Sequence, residues 1–197
     1  MSATIVTNQP VAIGLDKRYR VGAWVLIAGI MMLFTALTSS YIVRSASGTD
    51  WRPIAMPKVL WLSTLLILIS SVTMEISRRS LKQQRDAGYG RWLVFTAVLG
   101  LGFLASQLIA WRQLARQGVY LASNPYNSFF YLFTAAHGLH LLGGILALAY
   151  LLVRTRQKRT TIDGELRRVG AADAASIYWH FMDLLWVGLF VLLFYWK

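Results

Sequence analysis

Five apolar runs, each long enough to cross a lipid bilayer, constrain this chain more than any other feature of its sequence. A hydrocarbon core about 30 Å thick needs about 20 apolar residues in one helix. Because the bilayer core offers no water to the backbone, only helices and closed barrels can cross it. The sequence therefore predicts an all-α integral membrane protein, with a bundle of five transmembrane helices in a single membrane domain over residues 1–197. The predicted helices cover residues 21–43, 57–77, 91–111, 129–153 and 176–196.

The composition excludes several other classes of protein. Hydrophobic residues make up 56% of the chain and charged residues only 14%, which is not typical of a soluble domain. The net charge of +12 comes from short basic clusters between apolar runs, so no nucleic-acid partner is expected. The absence of cysteine excludes thiolate metal sites, disulfides and c-type haem attachment. The first twenty residues lack the apolar core of a cleaved signal peptide.

The basic residues also predict how the bundle lies in the membrane. With a cytoplasmic N-terminus, the inner segments hold 14 of the 20 Lys and Arg residues and the outer segments hold 6. Lys and Arg are enriched on the cytoplasmic side, so we expect the N-terminus inside and the C-terminus outside. Tryptophans near the predicted helix ends fit the interfacial belts of membrane proteins. They are Trp24, Trp92 and Trp179 at inner ends and Trp61, Trp111 and Trp196 at outer ends.

Polar residues within the predicted spans fall at two depths. At 1.5 Å per residue, His137 and His140 lie about 20–24 Å from the inner edge. Gln107 comes to the same level, as does Ser63, whereas His180 and Asp183 lie only about 6–10 Å from that edge, level with Ser70 and Ser71. The sequence therefore predicts two separate polar levels, one in each leaflet.

These residues are better suited to packing than to catalysis. Two histidines on one helix cannot hold one haem between them, and His180 lies at another depth. We expect a structural polar network, with no catalytic residue, cofactor or metal in the chain. It comprises His137, His140, Gln107, His180 and Asp183. His180 and Asp183, spaced i,i+3, are expected to pair with each other, and Glu75 to pair with Arg78 or Arg79. Lipid or interface contacts are expected for Trp24, Trp92, Trp179, Arg78 and Arg79.

Two motifs resemble a known family. Residues 178–186, YWHFMDLLW, resemble the final-helix signature Y-W-H-F-x-D-x-x-W of subunit III of the haem-copper oxidases, in its short five-helix form. Residues 130–144, FYLFTAAHGLHLLGG, resemble that family's penultimate-helix signature, which ends in H-G-x-H-x-x-x-G. Residues 22–24, 70–73 and Gln107 also fit, so the resemblance spans nearly the whole chain.

The resemblance implies a non-catalytic subunit of a respiratory terminal oxidase in the plasma (inner) membrane of a prokaryote. The complex would reduce oxygen to water and pump protons, with haem and copper in partner subunits. The expected partners are oxidase subunit I, subunit II and other respiratory-complex subunits, together with bound phospholipid. Two alternatives stay open at this point: an accessory protein of nitric oxide reductase and a haem-binding membrane cytochrome.

The sequence departs from the family pattern at two positions. Many members carry an acidic residue within the first helix, where this chain has Ile30 and its neighbours, and another where it has Ala110. A proton-collecting or lipid-headgroup role tied to those two carboxylates is therefore not expected here. A packing role does not depend on them.

Overall fold

The computed structural model describes residues 9–47, 50–52, 54, 56–155 and 162–196, and five α-helices account for nearly all of them. Each helix includes a segment long and apolar enough to cross a membrane, so the predicted five-helix, all-α fold is confirmed. The helices are α1 (Gln9–Ser47), α2 (Val59–Lys82), α3 (Asp86–Arg116), α4 (Pro125–Thr155) and α5 (Ile162–Tyr195).

The helices extend beyond the predicted apolar runs, most of all at the start of α5. That helix begins at Ile162 rather than at residue 176. Hydropathy marks where charged residues begin, but a helix can continue there because long basic side chains reach water and acids find cationic partners. The greater length of α5 shifts the expected depth of every residue on it.

Four of the helices form a closed ring, and the fifth packs on its outside. The ring runs α2, α3, α4, α5 and back to α2, each helix packing against the next. Helix α1 packs against α5 and, over a smaller area, against α4. In the most apolar stretch of α5, 44% of residues are buried, against 17% in α1. Helix α5 is therefore the centre of the bundle.

Local signals at the helix ends explain the short connections. Helix α3 ends in a Schellman motif: Gly118 has φ 76°, and the amide of Val119 donates to the Leu114 carbonyl over 3.0 Å. Helix α4 begins with proline at its first position, where no amide hydrogen is needed. The preceding Asn124 caps it, since its side-chain oxygen accepts from the Tyr126 amide over 2.8 Å.

An aromatic cluster closes one end of the bundle. The Tyr41 ring packs on Trp51, Phe129 and Phe133, with centroid distances of 5.0, 5.6 and 5.8 Å. The Tyr41 hydroxyl donates to the Trp196 carbonyl, and the Tyr126 hydroxyl donates to the Leu193 carbonyl over 3.0 Å. These bonds satisfy carbonyls at the end of α5 that have no partner within the helix. We call this the aromatic end.

Candidate functional site

The contact between α2 and α5 carries polar side chains along most of its length, and we call it the α2–α5 seam. Residues of α2 and α5 are paired along it through hydrogen bonds or ion pairs. Its members on α2 are Thr64, Ser70, Ser71, Glu75, Arg78 and Lys82, and those on α5 are Asp173, Trp179, His180 and Trp186.

At one end of the seam, which we call the charged end, Asp173 joins three helices. Its side chain is only 5% exposed, yet its carboxylate meets three cations. Arg78 and Lys82 of α2 each lie 3.2 Å from one carboxylate oxygen, and Arg20 of α1 lies 3.3 Å from the other. A carboxylate shared by cations from two other helices stabilises their packing on α5.

Three further ion pairs lie at this end. Glu75 accepts from Arg78 and Arg79, each at 2.8 Å, which confirms the expected pairing within α2. Asp86, in the first turn of α3, lies 3.3 Å from Arg168 of α5, whose guanidinium packs 5.1 Å from the centre of the Tyr89 ring. Charged groups therefore link α1, α2, α3 and α5 at the charged end.

Trp179 is a core residue, so its expected contact with lipid or a membrane interface is wrong. It is completely buried, and its indole N–H donates to the Ser70 hydroxyl over 3.0 Å. Its ring fits between two glycines: a Cβ added at Gly100 would lie 2.9 Å from it, and one at Gly144 would lie 3.3 Å from it. Because α5 starts earlier than hydropathy indicates, Trp179 lies within the bundle and not at its edge. Trp24, by contrast, is 59% exposed.

The expected pairing of His180 with Asp183 is also wrong. His180 Nδ1 lies 2.7 Å from the Ser71 hydroxyl, and its Nε2 lies 4.0 Å from a Glu75 oxygen. Asp183 is buried, and among the described residues neither of its carboxyl oxygens has a hydrogen-bond partner. Ser71 and Glu75 of α2 offer His180 closer partners than the next turn of its own helix does.

The remaining histidines differ from each other in surroundings. His137 is completely buried between Phe103 and Trp186, with ring centroids 5.6 and 5.2 Å away, and neither nitrogen has a partner among the described residues. His140 lies half-buried against Phe34 of α1, and its Nδ1 bonds the Ala136 carbonyl of its own helix over 2.7 Å. The two imidazoles therefore face different neighbours, although the two histidines are only three positions apart on α4.

Gln107, the other expected network residue, bonds α2 and not α4. Its amide nitrogen donates to the Ser63 hydroxyl over 3.0 Å. Nearer the charged end of the same two helices, the hydroxyls of Thr73 of α2 and Thr96 of α3 lie 2.8 Å apart. Polar contacts thus join α2 to α3 as well as to α5.

The two polar levels lie closer together than predicted. His137 packs on Trp186, which follows Asp183 by three residues on α5, a rise of about 4.5 Å. Trp186 itself donates to Thr64 over 3.0 Å. The predicted separation was larger because it placed the start of α5 at residue 176, and so placed Asp183 near the inner edge.

Two apolar recesses border α1. One, of about 490 Å³, lies between α1, α4 and α5 and is lined by Ala23, His140, Gly144 and Tyr178 among others. The other, of about 640 Å³, lies between α1 and α5 toward the aromatic end and includes Thr38 and Gly188 in its lining. Both occur where α1 packs incompletely on the ring of four helices.

The described residues hold no cluster of side chains typical of a metal centre. No group of three or more His, Asp or Glu side chains among them could hold a metal ion. The two positions where members of the resembled family often carry an acid hold the apolar residues Ile30 and Ala110. Both are buried, with Ile30 3% exposed and Ala110 fully buried. The polar side chains of the α2–α5 seam bond one helix to the other.

The family model and three relatives that match this chain carry the same description. The family model described as cytochrome c oxidase subunit III matches residues 4–197. A protein of Mycobacterium tuberculosis named "Probable cytochrome c oxidase subunit 3" is 31% identical over 198 residues, covering 98% of this chain and 96% of the relative. "Cytochrome c oxidase subunit 3" of Corynebacterium diphtheriae is 30% identical over 191 residues, covering 93% and 91%. That of Synechocystis is 30% identical over 168 residues, covering 82% and 69%.

Proposed function

Since the chain belongs to the cytochrome c oxidase subunit III family, we propose that it is the scaffold subunit of its complex and holds no redox centre itself. It is a multi-pass membrane protein and subunit III of a haem-copper oxidase. The names of its relatives do not favour a partner of nitric oxide reductase or a haem cytochrome. In this role the chain packs against subunit I, which carries the haems and copper, and near subunit II.

The observation that carries the scaffold role is the use of polar side chains along the α2–α5 seam. Ser70, Ser71 and Thr64 each bond a large side chain of α5, and Asp173 bonds cations of α1 and α2. A site that moves electrons would instead need paired ligands that face a common centre. A network of bonds between helices supports a rigid surface on which other subunits can assemble.

The direction of insertion is part of the proposal. Lys and Arg are enriched on the cytoplasmic side of membrane proteins, and ten of the described ones lie toward the charged end. We place that end at the cytoplasmic face of a prokaryotic plasma membrane. These residues are Arg18, Arg20, Arg78, Arg79, Lys82, Arg85, Arg91, Arg154, Arg167 and Arg168.

Phospholipid is the ligand that best fits the recess between α1, α4 and α5. The recess is lined mainly by small and apolar side chains, which suit an acyl chain. The exposed ring of Trp24, on helix α1 beside this recess, suits the membrane interface. Arg79, whose side chain is 72% exposed, can attract anionic headgroups at the charged end.

Co-purification with an affinity tag on this chain tests the scaffold role. We expect mass spectrometry to identify oxidase subunits I and II together with bound phospholipid. The complex should show haem absorption, whereas the chain separated from those subunits in detergent should show none. Haem absorption that stays with the separated chain would overturn the proposal, as would a tagged chain that recovers no oxidase subunit.

A further inference from the structure

We propose that Asp183 is an internal proton-exchange site, connected to the charged end of the bundle through Ser71, His180 and Glu75. This inference concerns the chain's own side chains and goes beyond its role as a scaffold. It starts from a feature that the scaffold role leaves unexplained: a buried carboxyl group with no hydrogen-bond partner among the described residues.

The surroundings of Asp183 make its burial unfavourable to the stability of the fold. It is 3% exposed, and neither oxygen has a hydrogen-bond partner among the described residues. Trp179 and Trp186, one turn away on either side, already donate to Ser70 and Thr64. An unpaired polar group in an apolar interior destabilises the fold. Ionisable residues inside a membrane span commonly mark ion or proton paths. Within the part of the chain that the structure describes, Asp183 makes no hydrogen bond that would explain it as a structural residue.

A short series of proton-carrying groups leads from Asp183 toward the charged end. The Ser71 hydroxyl lies beside the Asp183 carboxyl and 2.7 Å from His180 Nδ1. The other ring nitrogen, Nε2, lies 4.0 Å from Glu75 Oε2, a gap that one water or a small rotation of Glu75 can close. An imidazole with a polar group at each nitrogen can take a proton on one side and release one on the other.

Accessibility rises from Asp183 through Ser71 to His180. Asp183 is buried, Ser71 is half-buried, and the His180 side chain is 38% exposed. Glu75 belongs to the charged end, where Arg78 and Arg79 bond it. The charged groups that act on His180 are Glu75 and Arg78, both from α2.

The transfer conserves charge and atoms. A proton from the charged end binds His180 Nε2, and the Nδ1 proton then moves to the Ser71 oxygen. At the same time the original Ser71 hydroxyl proton moves to the Asp183 carboxylate. One proton has entered, Asp183 has become a carboxylic acid, and Ser71 is again a hydroxyl. His180 is neutral with its proton on Nε2, and loss of that proton to water together with uptake of a proton at Nδ1 restores the first tautomer.

His137 provides a contrast within the same bundle. It is as deeply buried as Asp183, and it too has no partner among the described residues. Its ring neighbours, however, are Phe103 and Trp186, whose rings pack against it without a hydrogen bond. Burial without a partner is therefore not enough for the proposed role; the role depends on the hydroxyl and imidazole beside Asp183.

Infrared spectroscopy of the intact, purified complex tests the proposal through hydrogen–deuterium exchange. The probe is the carbonyl band of protonated carboxyl groups after transfer to deuterated buffer, with carboxyl-labelled aspartate used to identify aspartate bands. We expect one aspartate band to disappear in Asp183→Asn and to return, displaced, in Asp183→Glu. Its deuterium shift should slow at least about tenfold in Ser71→Ala and in His180→Phe.

Ser106→Ala is the matched control. Ser106 is also buried, and its hydroxyl bonds only the Phe103 carbonyl of its own helix among the described residues. We expect its exchange rate to equal that of the unmodified complex. Exchange in Ser71→Ala and His180→Phe as fast as in the unmodified complex would overturn the proposal. The absence of any deuterium-sensitive aspartate band would overturn it as well, and because the label identifies aspartate, that result does not depend on whether Asp183→Asn assembles.

Discussion

Asp173 and Asp183 lie ten residues apart on one helix and are nearly equally buried, yet their surroundings are opposite. Asp173 meets cations from α1 and α2 within 3.3 Å. Asp183 has no hydrogen-bond partner among the described residues. The reason is depth: long basic side chains can reach Asp173 from the helix ends, whereas the groups at the level of Asp183 are hydroxyls, an imidazole and indoles.

The difference shows that burial alone does not define what an acidic residue does in a membrane bundle. Breaking a paired, buried charge leaves its partners uncompensated. Replacing a buried, unpaired carboxyl group by a neutral side chain of similar shape removes the free-energy penalty of burying that group without a hydrogen bond. Asp173 should therefore support stability, and Asp183 should be nearly neutral or unfavourable to it. Each of the following changes tests that contrast, beginning with the residue packed between the two acids.

Replacing Trp179, which lies between Asp173 and Asp183 on α5, should have the largest effect. Trp179→Ala removes a fully buried ring that fills the space between Gly100 and Gly144, and it leaves Ser70 without its donor. We expect a loss of about 3–5 kcal/mol in the free energy of unfolding, measured by denaturant titration in detergent. Trp24→Ala, at a ring that is 59% exposed, is the control and should change it little. Equal losses in both variants would contradict the assignment of Trp179 to the core.

Neutralising each acid in turn tests the contrast directly. Asp173→Asn leaves Arg20, Arg78 and Lys82 around a neutral amide, and we expect a loss of about 2 kcal/mol, moderated because these cations reach water. Asp183→Asn keeps the shape of a side chain that has no hydrogen-bond partner among the described residues, so the unfolding free energy should fall by less or should rise. The measurement is the difference between the unfolding free energies of the two variants. A larger loss for Asp183→Asn would show that the carboxyl makes a structural bond absent from this structure.

The close packing of α3 and α4 around Trp179 can be tested with single methyl groups. Gly100→Ala places a Cβ 2.9 Å from the Trp179 ring, so the ring or a helix must shift, and we expect a loss of about 1–3 kcal/mol. Gly144→Ala meets the Tyr178 ring at 3.1 Å and should cost less. Gly143→Ala, with nothing within 4 Å, is the matched control and should be neutral or slightly stabilising.

The sequence predicts the architecture well because hydropathy over about 20 residues is a strong signal. The number of helices, the absence of strands from the described residues, and the pairing of Glu75 with Arg78 and Arg79 follow from local patterns. The partners of Asp173 do not, because Arg20 is 153 residues away and Arg78 is 95 residues away. A single acid within an alanine-rich stretch of helix was the available signal for this residue.

The errors within the site share one physical cause. Hydropathy places the start of α5 where apolar residues begin, but ion pairs let the helix start at Ile162. Hydropathy alone therefore predicts Trp179 at the membrane interface and Asp183 at a level far from His137. The choice of Ser71 over Asp183 as the partner of His180 depends on how α2 and α5 are rotated against each other, which helical spacing on one chain segment does not determine.

A third acid, Asp50, extends the comparison to an exposed site and should give the smallest effect. Arg44 donates to both oxygens of Asp50, at 2.7 and 2.9 Å, and this hydrogen bonding holds the pKa of Asp50 below its usual value. A lowered pKa in the folded state means that the contribution is present above the unfolded value of about 3.9 and is lost as the pH falls through the folded value. Asp50→Asn should therefore reduce the fall in thermal midpoint on acidification by a small amount, and added salt should reduce the difference further, because the pair is open to water. If Asp50→Asn instead changed the midpoint as much as Asp173→Asn does at neutral pH, cation pairing would stabilise this fold regardless of burial, and the expected contrast between the buried pair and the exposed pair would fail.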